Sequence, residues 1–298
     1  MIRTIAESVT IRGIGLHTGI GVEAILRQRR TPGILFARTD LHGEPEVSAS
    51  IKYVSSSERC TVLTYKEARV ATVEHLLAAC FAFGVNALRI EVSGPELPIG
   101  DGSAAIWGDA IEGRVLDLPG SVPVPVPVAP VAIGDGNRRI DIAPADAWSV
   151  HFAGTFPGGD TREAHWTPQC DFRNDFAPAR TFVPLSEVLS LRRAGRILGG
   201  SPENSVICVD VPVTEKLRRE LAEFWPDVPI EVTGERMLSP QRYLWPDEPA
   251  RHKLVDLLGD LALAGPLPPC RVEAVQSGHS LTHRLVRAVA TMSRAVAK

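Results

Sequence analysis

The sequence predicts an α+β protein of two domains built to one design, with helices and sheets in layers. Three observations carry that expectation. The chain has 298 residues, and about 100–200 residues make a typical domain, so two domains is the natural count. Residues 119–130 read PGSVPVPVPVAP. Alternating Pro and Val neither continues a helix nor donates a full strand ladder, so this stretch reads as an extended linker. It sets the boundary between residues 1–121 and 122–298. Finally, VEHLLAACFAFGVNALRIEV (73–92) and RHKLVDLLGDLALAGPLPPCRVEAV (251–275) each read as helix, glycine, strand, an internal echo of one unit per half.

The elements follow in order. TIAESVTI, GVEAILR, GILFART and VATV alternate or are β-branched and are bounded by Gly or polar residues, which predicts strands. A helix then opens at Thr72, which is placed to cap it, and stops at Gly84, a natural C-terminal glycine. ALRIEV follows as a strand and residues 104–113 as a helix. In the second half, RRIDIA and SVHFAG read as strands, and residues 185–194 and 214–224 as helices. The helix that begins near Arg251 ends at Gly265, before the strand RVEAV. Residues 282–298 form a last helix, basic on one face.

Composition narrows the classes. Hydrophobic residues make up 44% and charged residues 22%, ordinary for a globular protein with a real core. The net charge is −3 and no basic tract occurs, so nothing points to nucleic acid. No apolar run reaches the ~18 residues of a membrane span. The N-terminal MIRTIAESVTIRGIG lacks the apolar core of a signal peptide. Five cysteines without a CxxC pair fit reduced, buried thiols of a cytoplasmic protein. With no obvious large apolar interface, a monomer is expected.

The chemistry-bearing residues are few. His252 and Asp256 are spaced i, i+4, so a helix projects them from one face, and Asp260 follows one turn on. Leu254, Val255, Leu257 and Leu258 between them are apolar. A carboxylate on a buried helix is costly unless it is paired, hydrogen-bonded or bound to a metal; an exposed polar stripe is the plainer alternative. Glu74 and His75 open the other apolar helix. They resemble the start of HExxH, but residue 79 is Ala, which argues against a protease of that type. Catalytic zinc usually takes three protein ligands and keeps one position open, and His75, His252 and Asp256 would make such a set across two domains. His279 lies in the loop QSGHSL, where a histidine by itself reads as a solvated turn residue.

Taken together, GIGLHTG (13–19), RTD (38–40), TVEHLLAA (72–79), PELPIGDGSA (95–104), ARTF (179–182), LGGS (198–201), RHKLVDLLGDL (251–261) and SGHSL (277–281) resemble the UDP-3-O-acyl-N-acetylglucosamine deacetylases, over nearly the whole chain and in order. The resemblance implies two similar two-layer α/β sandwich domains with the active site between them. It implies a cytoplasmic hydrolase that removes the N-acetyl group of an acylated UDP-sugar, the committed step of lipid A biosynthesis, using Zn²⁺, with Fe²⁺ also compatible. Carried over residue by residue, it makes His75, His252 and Asp256 the metal ligands, Glu74 the general base, and His279 with Asp260 the catalytic histidine and its carboxylate. Thr181 becomes the support of the oxyanion. Phe182 and Lys253 become substrate contacts, together with Phe156.

The chain departs from that pattern in three places. The interval from Ser201 to His252 is long and holds an insertion between Val209 and Trp245, including VTEKLRRELAEFWPDV. Gln276 replaces a lysine before SGH. FPGGDTREAH (156–165) keeps the Phe156 aromatic but lacks a His-Pro, with Arg162 available as substitute charge. An apolar passage for the acyl chain is expected along Val183, Val188, Leu191, Ile197 and Ser201. A deacetylase of another amino sugar, or a non-catalytic nucleotide-sugar-binding relative, are the alternative readings.

Overall fold

A computed structural model describes residues 1–122, 130–156, 159–233, 236–238 and 242–296, with side chains as far as Thr291. The N-terminal half comprises β1 (Ile2–Ile5), β2 (Val9–Ile14), β3 (Gly21–Gln28), β4 (Gly33–Arg38), β5 (Glu46–Ser48), β6 (Val54–Ser56), β7 (Val62–Tyr65), β8 (Ala68–Ala71), α1 (Glu74–Ala82), β9 (Ala87–Val92), α2 (Ala105–Ile111) and β10 (Val115–Leu118). The C-terminal half comprises β11 (Val131–Asp135), β12 (Arg138–Pro144), β13 (Ser149–Thr155), β14 (Thr161–Trp166), β15 (Phe182–Pro184), α3 (Leu185–Arg193), β16 (Val206–Cys208), α4 (Glu215–Phe224), α5 (Glu248–Ala262), β17 (Cys270–Val275) and α6 (His279–Val296).

Each half is organised around a five-stranded sheet, in the orders β2-β3-β9-β4-β5 and β11-β12-β17-β13-β14. The pairing directions correspond strand for strand. In each sheet the central strand is antiparallel to one neighbour (β3 or β12) and parallel to the other (β4 or β13). That central strand, β9 or β17, is the one that follows the helix and glycine of the echo seen in the sequence. The class is therefore α+β, as expected. The boundary set at residue 121/122 falls between β10 and β11, and residues 123–129 of its Pro-Val stretch lie outside the described residues.

The sheets bury alternate residues: in β3, Val22, Ala24 and Leu26 point inward, and in β17, Cys270, Val272 and Ala274 do. Helices cover these apolar faces, as period-2 burial requires. α1 packs on α2 and α5, and α5 lies against β13 and β14. One apolar core runs through both halves, from Leu26 and Phe36 to Leu258 and Val272. A second, smaller cluster joins Leu185, Val188, Ile207, Leu221, Trp225 and Leu238.

Three local expectations are corrected. TIAESVTI is not one strand. The chain bends at residues 6 and 7, so that β1 pairs with β10 while β2 joins the main sheet. Thr72 does not cap α1: its φ of 57° is left-handed, and its hydroxyl is donated to Glu96 at 2.8 Å. The last helix starts at His279, not Thr282, so His279 is a helix residue rather than a loop one.

Candidate active site

The spacing on α5 is realised. His252, Asp256 and Asp260 are all 5% exposed or less, on a helix whose apolar residues are also buried. Asp256 Oδ1 lies 3.6 Å from His252 Nε2 and 3.7 Å from His75 Nε2. The two imidazoles meet edge to face at 5.2 Å. His75 reaches this point because α1 and α5 touch backbone to backbone. A Cβ built on Gly259 would lie 2.7 Å from the carbonyl carbon of Glu74, so only glycine admits that approach.

These three side chains suit a divalent metal. Tetrahedral bonds of ~2.0–2.1 Å put ligand atoms roughly 3.3–3.4 Å apart, close to the separations from Asp256. His252 Nδ1 donates to the Ala179 carbonyl at 3.0 Å, which leaves Nε2 as the lone-pair nitrogen, the usual support of a metal-binding histidine. Burial lowers the affinity of both histidines for protons, that of His75 to a pKa of about 3, so both are neutral donors. Burial opposes the charge on Asp256, but the cations Lys253 and His279 outweigh it and hold the carboxyl well below the usual range. Lys253, expected as a substrate contact, places Nζ 2.6 Å from Asp256 Oδ2 and is 20% exposed.

Beside the trio sits an acid–base pair. Glu74 accepts the Thr61 backbone N–H at 3.0 Å, and its other oxygen is 3.8 Å from His279 Nε2. Burial raises the Glu74 carboxyl to about 8, with Asp256 and Asp260 adding to the effect. His279 Nδ1 donates to Asp260 Oδ2 at 2.7 Å. Burial alone would lower this imidazole; Asp260, Asp256 and Glu74 outweigh that and raise it to about 9. At neutral pH His279 is therefore a cation fixed by a carboxylate. At 8% exposed it is no solvated turn residue.

Two side chains that sequence reasoning missed complete this group. Thr61 donates its hydroxyl to Asp260 Oδ1 at 2.6 Å, and His283 Nε2 lies 3.0 Å from the same oxygen. His283 follows His279 at i+4, the same spacing that marked His252 and Asp256, and so was detectable. Thr61 carries no such signal. Glu96, 1% exposed, is a third. It accepts from the His17 and Thr18 backbone N–H groups and from the Thr18 and Thr72 hydroxyls, which fastens the GIGLHTG turn to the start of α1.

The ARTF segment borders the site. Arg180 and Glu248 form a buried ion pair, Nε to Oε1 2.8 Å, that ties this segment to the first turn of α5. Thr181 donates its N–H to the Gly102 carbonyl at 2.7 Å and accepts from Val206. The Phe182 ring stands 6.2 Å from the His252 ring. Phe156 packs behind it at 5.5 Å and is 8% exposed. Arg162 stacks its guanidinium on Tyr243 at 4.7 Å. Gln276 takes a left-handed φ of 52° and accepts from Arg138 through its carbonyl at 3.3 Å. Residues 157–158, 234–235 and 239–241 of the two divergent stretches lie outside the described residues.

From Thr181 and Phe182 a mostly apolar cavity extends along Val183, Val188, Leu191 and Ile197. Of the residues expected there, Ser201 does not line it; Gly200 and Ser205 do.

The profile of the UDP-3-O-acyl N-acetylglycosamine deacetylases matches residues 2–224 and 227–291. A UDP-3-O-acyl-N-acetylglucosamine deacetylase of Thermosynechococcus vestitus is 35% identical over 293 residues, 97% of this chain and 93% of the relative. Proteins of the same name from Geobacter sp. and Phenylobacterium zucineum are 33% and 34% identical, covering 95% and 96% of this chain and 87% and 92% of their own.

Proposed function

This chain belongs to the UDP-3-O-acyl N-acetylglycosamine deacetylase family, and we propose that it hydrolyses the N-acetyl group of UDP-3-O-acyl-N-acetylglucosamine in lipid A biosynthesis. The products are acetate and the free-amine sugar. The observation that carries the reading is the convergence of His75, His252 and Asp256 from two halves of the chain beside the Glu74–His279 pair.

His75, His252 and Asp256 would hold Zn²⁺, with Fe²⁺ compatible with the same donors. When bound, the metal supplies Lewis acidity that makes water a nucleophile near neutral pH. Glu74 takes a proton from that water as its oxygen bonds to the acetyl carbon. Burial suits it to the task, since a general base works best with a pKa near the working pH. The carbonyl oxygen gains negative charge, which the His279 cation and the Thr181 hydroxyl stabilise. The C–N bond then breaks, and His279 gives its proton to the sugar nitrogen. Asp260 keeps the imidazole protonated until that transfer and oriented throughout. Phe182 presents an apolar face to the sugar, with Phe156 supporting it, and Lys253 offers positive charge at the rim of the site.

No helix among the described residues is long and apolar enough to cross a membrane. We place the reaction in the cytoplasm, where free cysteines such as Cys60 and Cys80 stay reduced. The test is acetate release from the acylated UDP-sugar by metal-loaded protein, beside His75→Ala. Loss of both metal and turnover in the variant supports the reading; an active variant that keeps its metal contradicts it. Gln276, in place of a lysine, favours one second reading, a different acylated amino sugar. A substrate panel separates the two.

A further inference from the structure

Within 209–245, the stretch that the sequence marks as an insertion, α4 leads to a residue that lines the apolar cavity. α4 turns Leu217, Leu221 and Phe224 toward the second cluster, and Trp225 at its end stands in the lining itself, with Leu191 and Ile207. The indole is held on several sides. Its Nε1 donates to the Gly200 carbonyl at 2.7 Å, Arg192 lies over its ring at 5.7 Å, and Leu221 and Leu238 pack in the same cluster. At 6% exposed it is a fixed surface rather than a mobile side chain. The same cavity reaches Thr181 and Phe182, next to His252. A chain attached to the sugar at that point is directed among Val183, Val188 and Ile197, and the indole bounds the room it has.

We propose that Trp225 sets the length of acyl chain this enzyme accepts, acting as a stop that the insertion adds to the passage. The proposal rests on the deacetylase reading for the identity of the occupant, the substrate's 3-O-acyl chain. The cause is physical. Each methylene that enters an apolar passage strengthens binding about fourfold, until the chain meets a rigid group, where added length forces strain instead.

The experiment measures kcat/KM for acetate release across a graded series of acyl lengths on one UDP-sugar, with wild type, Trp225→Ala and Trp225→Phe. Titration calorimetry of the same series gives Kd independently of turnover. For wild type, kcat/KM climbs about fourfold per methylene and then breaks. In Trp225→Ala the break moves to longer chains, so the ratio of long-chain to short-chain kcat/KM rises by about fourfold per methylene newly admitted. Trp225→Phe keeps an aromatic packing residue should the alanine variant fail to fold, and shifts the break less. A break that stays where it was in either folded variant overturns the proposal. Absence of turnover at every length contradicts the deacetylase reading alone, because a break in Kd that moves with Trp225 still supports the stop and one that does not still overturns it.

Discussion

Gly259 and Glu74 meet so closely that the backbones of α5 and α1 are in direct contact, with a Cβ on Gly259 only 2.9 Å from the Glu74 Cα. Gly259 sits between Asp256 and Asp260 in sequence, and Glu74 adjoins His75. This backbone contact brings the proposed metal ligands of the two helices, and Glu74 and Asp260 beside them, to one place.

Gly259→Ala forces these helices apart, because the obstacle is backbone and no side chain can move away. We expect a loss of about 1–3 kcal/mol in stability, the usual cost of overpacking, together with weaker metal binding. Thermal unfolding and metal titration check both. A variant of wild-type stability and metal affinity would show that the helix contact does not set the site.

Thr61→Val removes the hydroxyl that reaches Asp260 at 2.6 Å while keeping the side chain's shape. A buried hydrogen bond to a charged group contributes about 1.5–3 kcal/mol, and that is the destabilisation expected in denaturant unfolding at neutral pH. A neutral result would mean that His283 alone satisfies this oxygen.

Asp260→Asn changes the pH profile in a defined direction. In the proposed reaction His279 acts as a cation, and its pKa of about 9 is held up against burial by Asp260 first, then Asp256 and Glu74. Removing the Asp260 charge destabilises the imidazolium and lowers that pKa. The falling limb of kcat/KM against pH therefore moves to lower pH, by about 1–3 pH units for a charge in direct contact. A limb that stays in place would assign it to another group.

How much of this was legible in the sequence depended on whether a residue's partner lies on the same element. His252, Asp256 and Asp260 announce themselves because helical spacing aligns them on an apolar helix, and the two halves because each repeats helix, glycine and strand. Thr61 and Glu96 could not be read this way. Each acts on residues far along the chain, Thr61 on Asp260 and Glu96 on the turn around His17; Glu96 lies in the PELPIGDGSA block, but nothing there signals its partners. Thr72 misled because a threonine ahead of a helix normally caps it, whereas here it takes a left-handed φ one residue before the N-cap position, which Val73 holds. The split of TIAESVTI into β1 and β2 reflects a partner, β10, that lies over a hundred residues away.

The most direct test of the account is acetate release from UDP-3-O-acyl-N-acetylglucosamine by metal-loaded wild type and Glu74→Gln, with the metal content of both measured. Glutamine keeps an acceptor for the Thr61 N–H but cannot take a proton from water. Wild type is expected to turn over and the variant's kcat to fall by about 10²–10⁴-fold, the range for loss of a general base, with metal bound equally in both. A Glu74→Gln protein that retains its metal and turns over at the wild-type rate would contradict that role for Glu74.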